Sequence, residues 1–351
     1  MELTPEIKAQ LQEQKKQCIF CKLISGEMPA KKVFEDNKTI SMVDIYPAKK
    51  GHTLFMLKEH YPIMPYIPAD EFKHYFGLIP QLCGAVKKAT VTTGINVFIA
   101  NGGPAGQQAP HFLMHLFPRE NGDGFFNFFF KEKEFLEEEK AKVLAHNFPI
   151  MMSNHFSRNP ASWHTGPGEL PAYLKEIAEE NTVIYEDEKA LCVIAKKGIV
   201  KGQMRIYSKV EKSLIEKLSI EDSAHLFYVA SFAATLVFEG LGAQGTNIIM
   251  RSGTSDDNPE GNLVIEILPR SAEDGLNKTL LWEPKQPSYD LDSVMKKIKD
   301  NAWGIKYKEE KEANADSIVL KPEVIKINSG SEKEELSPED EIKKAINSLI
   351  N

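Results

Sequence analysis

Two cysteines and two histidines have spacings that could support chemistry. Residues 111–115 read His-Phe-Leu-Met-His, and in a β-strand His111, Leu113 and His115 would share one face because side chains alternate along a strand. Cys18 and Cys21 form a C-x-x-C pair in a chain with 4 cysteines, which indicates metal or redox chemistry rather than a disulfide scaffold. The sequence therefore predicts a strand face with two imidazoles and a separate pair of thiols.

These residues lie in the first of two similar stretches of the chain. Residues 117–119 (FPR) match residues 268–270 (LPR), an offset of 151 (268 − 117). The same offset aligns Gly94 with Gly245 and holds without a gap from residue 33 to residue 124, so we predict a tandem repeat of one domain. The predicted first domain, linker, second domain and charged, mostly disordered tail are residues 17–150, 151–167, 168–306 and 307–351.

Each copy has the same order of local patterns. In the first copy two strand-like runs, a helical run and two more strand-like runs lie at residues 39–43, 51–57, 69–89, 95–100 and 111–117. The second copy repeats them at residues 190–194, 202–207, 220–240, 246–250 and 262–268. The order β-β-α-β-β predicts an α+β fold.

Composition excludes several classes of protein. The net charge of −7 and the pI near 5.8 provide no general attraction for nucleic acid or anionic lipid. No run approaches the roughly 20 apolar residues that span a bilayer, and residues 1–8 lack the basic flank and apolar core of a signal peptide. We expect a cytoplasmic protein with neither a membrane nor a nucleic-acid partner.

Around the cysteines and histidines the sequence resembles the histidine-triad (HIT) superfamily of nucleotide-binding proteins. The family's mark is three alternating histidines before a Pro-Arg or similar ending, and residues 111–119 (HFLMHLFPR) have histidine at the first and third positions. Further matching segments occur in the family's order at residues 18–26, 43–47, 50–54 and 101–107. The resemblance spans residues 17–130 and implies, for each copy, an antiparallel meander with a packed helix.

In this family the middle histidine attacks the α-phosphate and carries the nucleotidyl group. The resemblance places Leu113 at that position, and Val264 in the second copy. Neither side chain has a lone pair for phosphorus, so we expect a pseudoenzyme with no catalytic residue of the family's kind. His115 matches the third histidine; a residual reaction through His115 is the alternative, although it lies roughly 7 Å further along the strand.

The resemblance also implies a structural Zn²⁺ site. Its ligands would be Cys18, Cys21, His60 and His111, with His52 as a fallback ligand. Two thiolates and two imidazoles suit the tetrahedral preference of zinc, and a site closed by four protein ligands is structural. The alternative is a pair of ordinary buried thiols beside a surface histidine.

Nucleotide binding can persist without catalysis. By the resemblance, Asp44 would hold the ribose hydroxyls, and the phosphate site would be lined by Asn96, Asn101, Gly106, Gln107 and His115. Glycine there permits close approach of the backbone to an anion. A plain turn at residues 101–104 is the alternative.

The second copy keeps the fold positions and loses the site positions. At the offset of 151, the four zinc ligands fall on Glu169, Ala172, Glu211 and Asn262. Asp44, Gln107 and His115 fall on Ala195, Asn258 and Glu266. Family members usually pair as homodimers, so we expect the fused copies to form a monomeric intramolecular pseudo-dimer whose second copy is scaffold.

The sequence leaves three functions open. The first is a zinc-stabilised protein that binds a nucleoside or nucleotide without turning it over. The second is a scaffold without a nucleotide ligand, which would bind a protein partner through the tail, where residues 338–350 have the apolar spacing of an amphipathic helix. The third is a residual nucleotide hydrolase or transferase.

Overall fold

The computed structural model describes residues 5–125, 128, 131–132, 134–154 and 167–308. Within these residues the helices are α1 to α9, at Pro5–Gln17, Ile19–Ser25, Ala69–Gly77, Ile79–Thr90, Glu138–Asn154, Ala172–Glu180, Ile220–Leu241, Asn277–Leu280 and Leu291–Ala302. The strands are β1 to β10, at Lys32–Glu35, Thr39–Val43, Thr53–Leu57, Gly94–Asn101, Leu113–Arg119, Thr182–Glu186, Ala190–Ile194, Met204–Ser208, Gly245–Ser252 and Val264–Arg270.

All ten strands form one antiparallel sheet. Its order is β1-β2-β3-β5-β4-β9-β10-β8-β7-β6, so the first half of the chain (17–150) and the second half (168–306) contribute five strands each in the same relative order. The halves meet at β4 and β9, where Phe98 pairs with Ile249. The mixture of helices and antiparallel sheet confirms the predicted α+β class.

Helices α3, α4 and α7 cover one face of this sheet. Their apolar side chains belong to a single core cluster with the inward residues of both halves. Across the junction the rings of Phe76 and Phe227 stack 4.9 Å apart, and the Ser223 hydroxyl donates to the Phe76 carbonyl at 2.7 Å. The two halves therefore share one core.

Helix α7 is long and apolar enough to cross a membrane by length and composition alone. About two thirds of its most apolar window, 67%, is buried inside the structure. Its neighbours are α3, α5 and β10, which is the environment of a core helix.

The predicted helix at 69–89 is two helices, α3 and α4. Pro80 lies at the start of α4; proline has no N–H to donate, and its ring clashes with the carbonyl four residues earlier, so the helix ends and begins again. The second half has Ser231 at the matching position and forms the unbroken α7, whose Ser219 cap accepts the Asp222 N–H at 3.0 Å.

The helix that ends each half packs on the other half. Helix α5 contacts β6 and α7, and α9 contacts α4 and β1. Because α5 continues to Asn154, the expected linker begins four residues later than residue 151. The rest of that linker, at 155–166, and the predicted disorder and helical pattern of the tail from 309 onward lie outside the described residues, while Tyr307 packs on the His74 ring at 4.2 Å.

Candidate metal centre and nucleotide site

The four predicted zinc ligands come from three separate elements. Cys18 precedes α2 and Cys21 lies within its first turn, while His60 follows β3 and His111 precedes β5. The strand expected at 111–117 begins at Leu113, so His111 is in a loop, where the Phe112 N–H donates to the Tyr61 carbonyl. One ligand atom from each of the four residues lies within 4.8 Å of all the others.

The distances between these atoms fit a tetrahedral metal. Nδ1 of His111 lies 3.7 Å from the Cys18 sulfur and 3.6 Å from the Cys21 sulfur, and Nδ1 of His60 lies 3.3 Å from the Cys21 sulfur. In a tetrahedral zinc site, the usual Zn–S and Zn–N bond lengths place S and N atoms about 3.5 Å apart. The donor set therefore suits Zn²⁺ without rearrangement.

A hydrogen bond to a group outside the cluster orients one of the four ligands. The Nε2–H of His111 donates to the Leu57 carbonyl at 3.0 Å, which leaves the Nδ1 lone pair directed at the thiols. The hydrogen bond from Cys21 and the contact with His111 lower the pKa of the Cys18 thiol, so a thiolate is favoured there. Cys18, His60 and His111 are buried. Four protein ligands of this kind are the set that a closed, structural zinc site uses.

A second cluster lies on the sheet face opposite α3, α4 and α7. His52 lies directly before β3, and its Nε2 lies 3.0 Å from Nδ1 of His115 on β5. The other nitrogen of His52 accepts the Ala48 N–H at 3.3 Å and lies 3.4 Å from an Asp44 oxygen. With Nδ1 as the acceptor, His52 donates through Nε2, and His115 is left with its own Nε2–H as a donor.

Both imidazoles of this pair are neutral at physiological pH. Burial lowers the pKa of His52 to about 3. Burial, with the neighbouring His52, lowers the pKa of His115 to about 3 as well. Two neutral rings can share one hydrogen bond without charge repulsion. His115 can donate a hydrogen bond to an acceptor, but its ring carries no positive charge.

Leu113 shares the face of His115 and packs in an apolar cluster. In the register of β3 and β5, Leu113 lies opposite Met56 and His115 opposite Leu54. Side chains from β2, β3 and α2 surround Leu113: Ile40, Met42, Leu54, Met56, Phe20, Leu23 and Ile24. A hydrocarbon wall therefore stands directly beside the polar Asp44–His52–His115 group.

The second half contributes Leu281 and Trp282 to this site. The centroid of the Trp282 ring lies 4.9 Å from that of His115, 5.4 Å from that of His52 and 4.8 Å from that of Phe117. The plane of the Trp282 ring is steeply inclined to all three rings. A Cβ built on Gly106, whose φ is +87°, would lie 2.6 Å from Leu281, so glycine permits this close approach. Sequence reasoning missed Trp282 because the matching position in the first half is Lys131.

The other predicted phosphate-site residues are engaged by the protein itself. Gln107 accepts the Gly102 N–H at 2.9 Å and donates to the Pro62 carbonyl at 2.6 Å, so it fixes the loop of Gly106. Asn101 accepts the Met64 N–H at 3.3 Å. Asn96 is buried and donates to Asp257 of the second half at 2.8 Å. The structure thus brings Asp44 and His115 together with His52 and places Gly106 against Leu281, while these three amides hold loops and the junction.

The equivalent face of the second half is filled by ion pairs. Glu266 accepts from Gln203 at 3.2 Å and from Arg205 at 3.3 Å, and it also pairs with Arg251. Arg251 pairs with Asp257 at 3.1 Å, and Asp257 reaches Arg119 of the first half at 2.8 Å. Glu266, at the position that corresponds to His115, thus joins two arginines through its carboxylate.

Comparisons with known proteins agree with the resemblance. A model of the HIT domain matches residues 25–122. An uncharacterized HIT-like protein of Methanocaldococcus jannaschii is 41% identical over 107 residues, which are 30% of this chain and 82% of that protein. Adenosine 5′-monophosphoramidase of Candida albicans is 35% identical over 141 residues, 36% of this chain and 93% of that protein.

Among solved structures, a Zn-bound histidine triad family protein from Mycobacterium smegmatis is 29% identical, covering 31% of this chain and 80% of that chain with a TM-score of 0.30. The family assignment depends on the sequence identity to relatives that this chain covers over most of their length. The chain belongs to the HIT family.

Proposed function

We propose that this chain is a zinc-stabilised nucleotide-binding protein that has lost the family's nucleophile. The observation that carries the proposal is the face where Asp44, the neutral His52–His115 pair and the apolar cluster around Leu113 meet. A small-molecule site of this kind combines an apolar wall with a few convergent polar groups. Further support comes from the relative in Candida albicans, which is named for action on adenosine 5′-monophosphate derivatives.

Each group in the site has a distinct task in binding. The side chains around Leu113 would pack on the nucleobase, and the Asp44 carboxylate, partly exposed, would accept from the ribose hydroxyls. His115 would donate its Nε2–H to a phosphate oxygen. Leu113 offers no electron pair, so no nucleotidyl intermediate forms and the ligand stays intact.

Zinc would act on this site through α2. The cysteines lie at the start of α2, and Phe20, Leu23 and Ile24 of the same helix belong to the apolar cluster. A metal held by Cys18, Cys21, His60 and His111 would tie α2 to the ends of β3 and β5. The metal supplies folding free energy and takes no part in chemistry, because four protein ligands leave no open position.

We also propose that the halves are two HIT-like domains, at residues 17–150 and 168–306, paired as a monomeric pseudo-dimer. The matching strand order, the shared core and the exchanged α5 and α9 support this organisation. Trp282 gives the second half a direct contact with the site of the first. A cytoplasmic location and the lack of membrane and nucleic-acid partners remain predictions from composition.

Calorimetry tests nucleotide binding directly. The purified chain, with its zinc content measured by elemental analysis, is titrated with AMP and GMP. We expect one binding event per chain, and no loss of the nucleotide after prolonged incubation. The absence of heat with AMP, GMP and adenine dinucleotides would overturn the proposal.

A gain-of-function variant tests the missing nucleophile. Leu113→His restores the middle histidine, and we expect it to hydrolyse a nucleoside phosphoramidate that the parent chain leaves intact. The matched control is Val264→His, the same replacement at offset 151, which should gain nothing because ion pairs fill that half. Hydrolysis by the parent chain, abolished by His115→Ala, would favour the residual enzyme instead.

A further inference from the structure

A groove on the helical side of the molecule is unrelated to the nucleotide site. It runs between α4 and the chain just after α9, and its volume is about 790 Å³. Small and apolar side chains and glycines line much of it: Pro80, Gly84, Ala85, Val91, Gly304 and Ile305. We call it the α4–α9 groove. Its other lining residues include Lys87 and Lys88 of α4.

Val91, at one end of the groove, has a backbone that its side chain disfavours. Its φ is +56°, and among the described residues it is the one non-glycine with positive φ. A β-branched residue in this region is strained. The position at offset 151 is Gly242, with φ +66°, which is the usual residue for this kind of helix end. Val91 is also 86% exposed, so packing within the fold does not account for it.

Trp303 is a second exposed apolar residue that differs from its counterpart in the other half. It lies between Asn301 and Gly304, which both line the groove, and it is 85% exposed. Its counterpart at offset 151 is Met152, which is 2% exposed and part of the core. Single exposed apolar residues are ordinary. Here one of them, Val91, lines the groove and the other, Trp303, is next in sequence to a lining residue, Gly304, and each differs from its counterpart in the other half.

The course of the chain indicates what covers the groove. Lys306 is held to Gln81 of α4 by two hydrogen bonds of 3.0 Å, one in each direction. Residues 309–337 separate this anchor from the segment 338–350 in the sequence, and a random-coil chain of that length would span roughly 30 Å. Helix α4 has 12 residues and is about 18 Å long, so the whole groove is within reach.

The sequence of that segment complements the groove. Residues 338–350 have apolar side chains at helical spacing, namely Ile342, Ala345, Ile346, Leu349 and Ile350. Residues 331–341 contain six acidic residues and one lysine, a net charge of −5. In the α4–α9 groove Lys87 is paired at 2.5 Å with Glu216, which also lines the groove, so the exposed Lys88 carries the excess positive charge. The acidic residues of the segment would meet this lysine.

We propose that residues 338–350 dock in the α4–α9 groove of their own chain. The apolar face contacts Val91 and Trp303, and the acidic residues before it lie toward Lys88. Tethering makes this contact intramolecular, so it requires no high affinity. The groove lies on the sheet face opposite His115, so the inference stands independently of nucleotide binding.

Hydrogen exchange of the full chain tests the docking. We expect the amides of residues 342–350 to exchange at least about tenfold more slowly than in the variant Ile346→Asp. The matched control is Asn347→Asp, which adds the same charge one residue away from the apolar face and should keep the protection. Acrylamide should quench Trp303 emission more strongly in Ile346→Asp than in the parent chain.

Val91→Gly separates docking from folding. Glycine accepts positive φ, so this variant should keep or raise the unfolding midpoint while it lowers the protection of residues 342–350. Fast exchange of these residues in the parent chain would overturn the proposal. Protection that grows with protein concentration would also overturn it, because the occupant would then be the segment of a second copy. Neither result would affect the nucleotide proposal.

Discussion

Where the first half of the chain has His52 and His115, the second half has Gln203 and Glu266 at the same sites of the sheet. In the first half these side chains form a neutral pair beside an apolar cluster. In the second half they join Arg205 and Arg251 in a buried ionic network. The same two positions thus form a neutral histidine pair in one half and part of an ionic network in the other.

The largest expected difference between the two halves is in zinc binding. Replacement of Cys18 and Cys21 by serine should abolish metal content and lower the free energy of unfolding by more than about 4 kcal/mol, because a structural metal contributes folding energy. Cys192→Ala, at a buried thiol of the second half, is the matched control and should leave metal content unchanged. Elemental analysis and urea denaturation measure both quantities. Full metal content in the double variant would refute the ligand assignment.

The buried ionic network gives the next largest effect. Glu266→Gln should cost about 2 to 3 kcal/mol of stability, since Arg205 and Arg251 lose their shared carboxylate and keep only Glu132 and Asp257 as ionic partners, and nucleotide affinity should be unchanged. His115→Gln at the equivalent position should do the reverse, weakening AMP binding with less effect on unfolding. If both variants changed binding and stability alike, the result would contradict the assignment of nucleotide binding to the first half and stabilisation to the second.

Trp282 tests how far the halves depend on each other. Trp282→Ala should lower stability by about 2 kcal/mol, because a partly buried ring is lost. It should also let water reach the histidine pair, so the pKa of His115 should rise from about 3 toward the ordinary histidine value. NMR titration measures this shift. Trp303→Ala, which removes an exposed ring, should leave the His115 titration as it is.

The remaining contrast concerns pH dependence. Burial lowers the pKa of His52 and His115 to about 3 in the folded chain, so the unfolded chain binds more protons between that pH and about 6.5. Stability should therefore fall as the pH drops through this window, by up to about 1.4 kcal/mol per pH unit for each histidine. His52→Gln introduces the residue of the second half and should make the slope shallower. An unchanged slope would show that His52 does not titrate as inferred.

The sequence was sufficient for residues whose role depends on local pattern. Four of the five strands in each half and the central helical run followed from periodicity, while the first strand of each half, β1 or β6, was missed. The resemblance named four ligands that the structure brings within 4.8 Å of one another. The break at Pro80 was also within reach, since a proline inside a helical pattern ends or kinks the helix. It was missed because the second half, with Ser231, presents the same periodicity without a break.

Contacts that depend on the path of the chain between halves could not be predicted. Trp282 has no counterpart in the first half, and its position over His115 follows from the course of the chain after β10. Nothing in the local sequence of α5 or α9 indicates that each packs on the other half. The network around Asp257 depends on the pairing of β4 with β9, which places arginines from both halves beside one carboxylate.

The exchange of α5 and α9 has a consequence for the integrity of the molecule. A single cut in the backbone between α5 and α6 would produce two fragments, and each would still carry a helix packed in the core of the other. The fragments should therefore remain together after cleavage and separate only under denaturing conditions. Two separately expressed fragments should likewise reassemble by complementation, as an interlocked pair rather than as two independent proteins.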